Sequence, residues 1–445
     1  MTALCCAVFL AAVAGSLVLS IQLFWPLLLG LILFSLLGLK RGYSPRELTA
    51  MAWRRGKKSL IVIQVFLTIG MVTALWRSSG TIAIFLYYGL RSISPQLFLL
   101  VAFLLSALLS LALGTSNGVA GTAGVVLIIL ARSGGVDPVL TAGAVLSGAY
   151  FGDRCSPMSS CATLVAACTD TKLYSNVREM LKTAALPTVL CILYYAILSV
   201  RNPITTVDEA VLTALKTNFS LHPVVLVPAI LMLVLPLMKV PVKWAMTVST
   251  VIAFLLTVFL QGMPLGEAVR TALFGYAPAQ AELARILTGG GLVSMINTCL
   301  VVFITGLYAG ILDETHILDA AHGWAEKLSE KLGLFAATSI VSLAITMVFC
   351  NQSVTVMMDE QLMAESYRRR NASRTELAMD IANSGVMLSG LIPWSIAITV
   401  PLSMLGVGIE AIPYCALLYL IPLCYLFTKR FFRPGQNRSI PAERT

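Results

Sequence analysis

LALGTSNGVAGTAG, residues 111–124, interrupts an apolar run reaching from about 95 to 131, and GAYFGDRCSPMSS, residues 148–160, interrupts a second run from 139 to 169. As one α-helix the first run would be some 55 Å long at about 1.5 Å per residue. That is nearly twice a hydrocarbon core of about 30 Å. The run has to break, and Gly114, Asn117 and the hydroxyl residues beside them mark the place. The second run breaks in the same way at Ser156-Pro157. Irregular backbone at membrane depth is tolerated only where it is buried in protein or lines a cavity, so the two breaks locate a pathway.

The rest of the chain supports a membrane setting. Of 445 residues 58% are hydrophobic and only 12% charged, against about 25% charged in ordinary soluble domains; mean hydropathy is +0.87. At roughly 20 apolar residues per helical span, the chain has room for about ten to thirteen. What remains is too short for a nucleotide-binding module or an ectodomain. The net charge of +10 sits in Lys and Arg between apolar runs, where the positive-inside rule accounts for it, so no nucleic-acid partner is expected. Ten cysteines show no metal-ligand spacing and lie largely inside apolar runs as small hydrophobes. The start, MTALCCAVFL, lacks a positive n-region and reads as a retained helix.

Apolar runs at 3–20 and 21–39 precede a segment with Lys40, Arg41, Arg46, Arg54, Arg55, Lys57 and Lys58 against Glu47 alone, which reads as a cytoplasmic loop. Further runs lie at 59–76, 186–200, 223–238 and 243–261, after which the pattern recurs, with 293–312 corresponding to 59–76. Asn117 and Asn351 are 351 − 117 = 234 apart, and Pro157 and Pro393 are 393 − 157 = 236 apart. Charge bias switches between the halves. The segment 276–292 has Arg285 alone, where its counterpart 40–58 has seven basic residues. Arg368, Arg369, Arg370 and Arg374 face a counterpart with Arg132 alone. Lys172, Arg178 and Lys182 face none near 407–417. The halves are therefore expected to face opposite ways, with both termini inside and Lys429, Arg430 and Arg433 marking the C-terminus.

The fold expected is an all-α polytopic membrane protein with two inverted-topology repeats and broken or re-entrant helices, the pattern of a secondary transporter. Its divisions are 1–58, a scaffold helix pair and basic loop; 59–200, the first transport repeat; 201–292, a second scaffold pair and loop; 293–417, the second repeat; and 418–445, the last helix and tail.

Candidate site residues come from the breaks: Thr115, Ser116 and Asn117, then Asp153, Ser156, Ser159 and Ser160, then Asn351 and Gln352, then Asn383, Ser384 and Trp394. Hydroxyl and amide oxygens suit a hard cation or a zwitterion, and half-helix N-termini suit an anionic group. Asp153 lies deep in apolar sequence, where an ionisable group marks function; it is the candidate for proton exchange or Na+ binding. The rival reading is an ion pair with Arg154 or a helix cap, and for the hydroxyl cluster it is interhelical packing. Asp359, Glu360 and Asp380 lie near basic loops and read as interfacial partners. His222, His316 and His322 lie in or beside loops, so no histidine relay, catalytic constellation or bound cofactor is expected.

At these residues the sequence resembles the NhaC-type sodium/proton antiporter family. The match runs through RGYSPRELTAMAWRRG (41–56), SSGTIAIFLYYGL (78–90), LALGTSNGVAGTAGV (111–125), AGAVLSGAYFGDRCSPMSS (142–160), VREML (177–181), LTGGGLVSMI (287–296) and NSGVMLSGLIPW (383–394). The resemblance implies exchange of Na+ for H+ across a prokaryotic cytoplasmic membrane, with the bilayer and a small ion or solute as partners; a homodimer is left open. Some relatives look like carriers of carboxylates or amino acids. Where the family usually has an acid, this chain has Ser160 and Asn383, and often also Asn351. An organic solute coupled to H+ or Na+ is therefore the second substrate reading, and a channel or an intramembrane enzyme ranks below both.

Overall fold

A computed structural model of the chain describes residues 2–19, 21–92, 95–204, 209–238, 240, 242–280, 283–284, 287–315 and 321–431. Helix makes up 83% of it, with no strand among the described residues. Arg285, His316 and Arg433, named above for loop placement, lie outside the described residues, as do the side chains of Arg55, Lys58 and His322.

The expected breaks are present. Helix Phe98–Leu113 ends at Gly114, which takes a left-handed conformation (φ 68°), and Thr115 is the extended N-cap of the helix that follows. That helix, Ser116–Ser133, carries a π-helical turn over Ala120–Gly124. Helix Pro138–Cys155 stops at Ser156, and Ser159 caps Ser160–Cys168.

The same order returns in the second half with a constant offset. Phe98–Leu113 matches Leu334–Phe349, and left-handed Gly114 matches left-handed Cys350, 350 − 114 = 236. The N-caps Asp137 and Ser373, and Ser159 and Ser395, keep that spacing. This corrects one pairing from sequence: Asn351 occupies the place of Thr115, both being N-caps directly after the left-handed residue, and not the place of Asn117. A non-glycine residue costs about 1–2 kcal/mol in that conformation, so Cys350 marks a geometry that the second break enforces.

Two presumed loops are helical. Ser44 and Glu47 form a capping box. The Glu47 carboxylate accepts from the Ser44 N–H at 2.8 Å and hydroxyl at 2.9 Å. These bonds hold its pKa below the ordinary carboxylate value, so the cap is complete above pH ~4.3 and lost as pH falls through the lowered value. Lys40 and Arg41 close the preceding helix, and the helix that starts at the box, Pro45–Ser78, carries the other basic residues, from Arg46 to Lys58, in its first turns. Likewise Arg178 and Lys182 lie on the helix Leu173–Arg201, with Lys172 as its N-cap.

Three described helices are long and apolar enough to cross a membrane, Ser116–Ser133, Leu173–Arg201 and Leu292–Leu312. There are five if each bent pair counts as one span: Phe66–Ser78 with Thr81–Tyr88 at 61°, and Arg374–Leu391 with Ile396–Leu405 at 52°. Shorter apolar helices such as Phe24–Lys40, Phe98–Leu113 and Leu334–Phe349 surround them. The ten to thirteen spans expected from composition thus resolve into few full-length helices and many short or bent ones, because the breaks divide the apolar runs. Leu186, Val189, Leu193, Ile197 and Val200 form an exposed stripe at helical spacing, the face a helix presents to lipid.

Inside, helices approach closely through small residues. Gly148 and Gly152 lie against the backbone of Phe98–Leu113, and the Ser110 hydroxyl donates across the contact to the Ala149 carbonyl. Elsewhere Phe9, Phe34 and Tyr308 meet in tilted and edge-on pairs with centroids 5.5–5.8 Å apart, seating the first two helices on Ile296–Glu314.

Candidate functional site

Asp153 sits in the last turn of Pro138–Cys155 and is 6% exposed. Ser116, in the first turn after the other break, donates its hydroxyl to Asp153 Oδ2 at 3.0 Å. Ser159 faces Oδ1 at 3.3 Å, donates to the Asp153 carbonyl, and caps its own helix by accepting from the Cys161 and Ala162 N–H groups. Ser116 and Asp153 are 37 positions apart, so two breaks meet on one carboxylate. Ser156 joins them as a strut, donating to the Leu111 carbonyl at 2.6 Å.

The remaining candidates divide. Thr115 is a cap, accepting from the Gly118 N–H, and Asn117 Oδ1 is buried without a hydrogen-bond partner. Ser160 is exposed on the first turn of its helix, away from the carboxylate's hydroxyls, because Ser159 takes the inward capping position. In the second half Asn351 caps its helix, accepting from the Ser353 and Val354 N–H groups. Gln352 donates to the Val386 carbonyl and Trp394 to that of Met347, both at 2.8 Å, so these residues hold the second pair of breaks together. Ser384 lies where the backbone leaves helical geometry (φ −111°, ψ −82°) and donates to the Asp380 carbonyl.

Arg154 was paired in the rival reading with Asp153. The structure gives it other partners. Fully buried, it donates from Nε to the Ala382 carbonyl, from Nη1 to the Met180 carbonyl and Cys155 sulfur, and from Nη2 to Thr183 Oγ1 and Asn383 Oδ1, each of the last two at 2.7 Å. The side chain turns away from the carboxylate next to it because consecutive helical residues point about 100° apart. Arg154 thereby ties the first half's break to the second half's Asn383. Tyr150, one turn earlier, makes a second tie through its hydroxyl to the Ala397 carbonyl at 2.6 Å.

The reading of Asp359 and Asp380 as interfacial is overturned. Both are fully buried. Asp380 is held by Tyr367, Tyr425 and Lys429, while Arg374, its supposed neighbour, pairs with Asp170. Asp359 Oδ2 lies 2.6 Å from the Ser342 hydroxyl. Sequence reasoning placed it beside Arg368, but nine helical residues carry the chain about 13 Å; that distance was the available signal. Glu360, next to it, is half-buried. His222 accepts from the Val224 N–H at a helix start, in keeping with its loop assignment.

Chemically, the arrangement offers a buried carboxylate whose hydroxyl neighbours either donate to it or turn their lone pairs to a bound cation. Among the described residues there is no cluster of His, Cys, Asp and Glu able to hold a resident metal ion.

Comparison with known proteins agrees with this frame. A model of the Na+/H+ antiporter family matches residues 148–428. The chain is 30% identical to the malate-2H+/Na+-lactate antiporter of Bacillus subtilis over 96% of this chain and 95% of that one. It is 26% identical to the Na+/H+ antiporter NhaC of Alkalihalophilus pseudofirmus over 96% and 94%, and 26% identical to the arginine/ornithine antiporter ArcD of Halobacterium salinarum over 79% and 75%. With one family model covering more than half of it, the chain belongs to the Na+/H+ antiporter family.

Proposed function

We propose that this multi-pass membrane protein is a secondary exchanger that moves a monovalent cation or a small solute against H+ or Na+ by alternating access. The observation that carries the reading is Asp153, fixed by Ser116 and Ser159 where two broken helices meet. A proton and a cation compete for such a carboxylate, so loading one releases the other, which is the elementary step of exchange.

In this reading 59–200 and 293–417 are inverted transport repeats, supported by the 236-residue recurrence of caps and breaks and by the opposite charge bias of their flanks. The stretches 1–58 and 201–292 act as scaffold, and 418–445 closes the chain. The basic start of Pro45–Ser78 and the Lys429–Arg430 turn support a reading in which both termini face the cytoplasm of a prokaryotic cell.

Two cargo readings divide on specific residues. Na+/H+ exchange is the activity named for the NhaC relative above and for the family. Exchange of organic solutes is favoured by Ser160, Asn351 and Asn383, neutral groups where the family pattern tends to have acids, and by the named activities of the malate/lactate and arginine/ornithine relatives. The test is purified protein in liposomes with a pH-reporting dye inside. Sodium exchange gives a saturable pH change on adding NaCl that malate, lactate, arginine and ornithine leave untouched. Solute exchange gives counterflow of one of those solutes and little response to NaCl alone. A response to neither, or flux that does not saturate, contradicts the exchanger reading.

A further inference from the structure

Asp359 stands in the helix Gln352–Arg369 with no exposed surface. Its Oδ1 is buried without any hydrogen-bond partner. Its Oδ2 meets the Ser342 hydroxyl at 2.6 Å, and Ser342 Oγ lies 3.2 Å from Ser384 Oγ and 2.8 Å from the Thr338 carbonyl. Three elements converge here: Leu334–Phe349 brings Ser342, Gln352–Arg369 brings the acid, and the break at Ser384 brings a hydroxyl. Gly385 keeps the space open, since a Cβ there would fall 2.3 Å from Asp359 Oδ2.

The hydrogens around this acid can be counted. Ser384 spends its hydroxyl hydrogen on the Asp380 carbonyl at 2.7 Å. Ser342 has one hydrogen and two oxygens at hydrogen-bond distance to receive it, Asp359 Oδ2 and the Thr338 carbonyl, which as a helix carbonyl also has the Ser342 N–H. With Asp359 ionised, one of those contacts lacks a hydrogen and a charge is buried with a single donor, which is costly. With a proton on Oδ2, Asp359 donates to Ser342, Ser342 donates to Thr338, and both contacts are made. Asp153 differs in receiving one undivided hydroxyl hydrogen, from Ser116 to Oδ2, while Ser159 divides its own between the Asp153 carbonyl and Oδ1.

Among the described residues, nothing on the neighbouring elements supplies a compensating charge. On Arg374–Asn383, Asp380 and Glu376 are taken by Lys429, and Arg374 by Asp170. On Ala321–Leu332, Glu326 is taken by Arg369, and Lys327, Glu330 and Lys331 make no ion pair with Asp359. Ser160–Cys168 brings Cys161 and Cys168, and Arg154 is occupied on the far side of Asn383. Among the described residues no charged side chain is within ion-pair distance of Asp359.

We infer that Asp359, with Ser342 and Ser384, is a second proton-binding site, separate from Asp153 and placed in the other half of the molecule. The two acids are joined through adjacent residues: Asp153 precedes Arg154, Arg154 holds Asn383, and Ser384 contacts Ser342 beside Asp359. A shift of the Asn383-Ser384 backbone therefore acts on both acids. A role as a second coupling proton rests on the exchanger reading above; proton occupancy does not.

The test is infrared spectroscopy of the purified full-length protein at neutral pH in H2O and D2O, following the C=O band of a protonated carboxylic acid. The wild type is expected to show an exchangeable band that Asp359→Asn removes and Asp153→Asn retains. A band that survives Asp359→Asn, or no such band in the wild type, overturns the inference. Should Asp359→Asn fail to give a monodisperse protein, Ser342→Ala decides: loss of the acid's acceptor shifts the band to higher frequency, and an unmoved band overturns the assignment. If the band behaves as expected while liposomes show no exchange, the exchanger reading falls and the site stands.

Discussion

Arg154→Met is expected to be the most destabilising single change in the chain. The guanidinium is fully buried and all five of its N–H groups are engaged, across three segments of the chain. Methionine fills much of the volume but leaves the Asn383 amide oxygen, the Thr183 hydroxyl and two carbonyls without their donor. Orphaned buried acceptors cost about 1–3 kcal/mol each, and some carbonyls keep a helical partner, so a loss of about 3–5 kcal/mol is expected. At a fixed scan rate the detergent-solubilised variant should unfold well below the wild type. Asn383→Asp is expected to act in the opposite direction. It replaces the amide oxygen 2.7 Å from Nη2 with a carboxylate, giving the buried cation a counter-charge and a charge-assisted bond. An Arg154→Met protein as stable as the wild type would remove the guanidinium from its place as the tie between the halves.

Gly152→Ala is expected to have the next largest effect, from a single methyl group. A Cβ at this position would sit 2.1 Å from the Ser110 carbonyl carbon and 2.2 Å from the Leu111 nitrogen. Both are backbone atoms in the middle of a helix pair, so no side chain can turn aside. The helices must separate, weakening the Ser110 to Ala149 bond between them. Overpacking of this kind costs about 1–3 kcal/mol. It also moves the turn that holds Asp153, the next residue, so transport should fall by more than stability alone accounts for. Gly266→Ala is the control: nothing lies within 4 Å of its Cβ position, and alanine favours a helix by about 1 kcal/mol over glycine. That variant should be neutral or slightly stabilised by the same thermal measurement.

The breaks were legible because their chemistry is local. Gly114 takes a conformation that side chains resist, Thr115 and Ser159 are N-cap types, and Ser156-Pro157 ends a helix whatever surrounds it. Asp153 was legible from depth alone. Helix continuity was not. The basic residues between 40 and 58 look like a loop by composition, but the capping box at Ser44 and Glu47 starts a helix that carries those from Arg46 onward as its polar end. Partners distant in sequence were beyond reach as well. That Arg154 bonds to Asn383, 229 positions away, rather than to its neighbour Asp153 depends on how the two halves dock. Asp359 was misplaced because nearness in sequence to Arg368–Arg370 was taken for nearness in space. The exact register between halves needed the left-handed residues at 114 and 350, which no residue type shared between them announces.

In the proposed exchanger one carboxylate, at the meeting of two broken helices, carries the exchanged ion. Asp153→Asn keeps size and shape and removes only the charge and the proton it binds. In liposomes with an imposed pH gradient, and with whichever of sodium or solute the wild type transports, the account predicts an initial rate for this variant equal to that of protein-free vesicles, at unchanged folding by gel filtration. A wild-type rate in Asp153→Asn would contradict it.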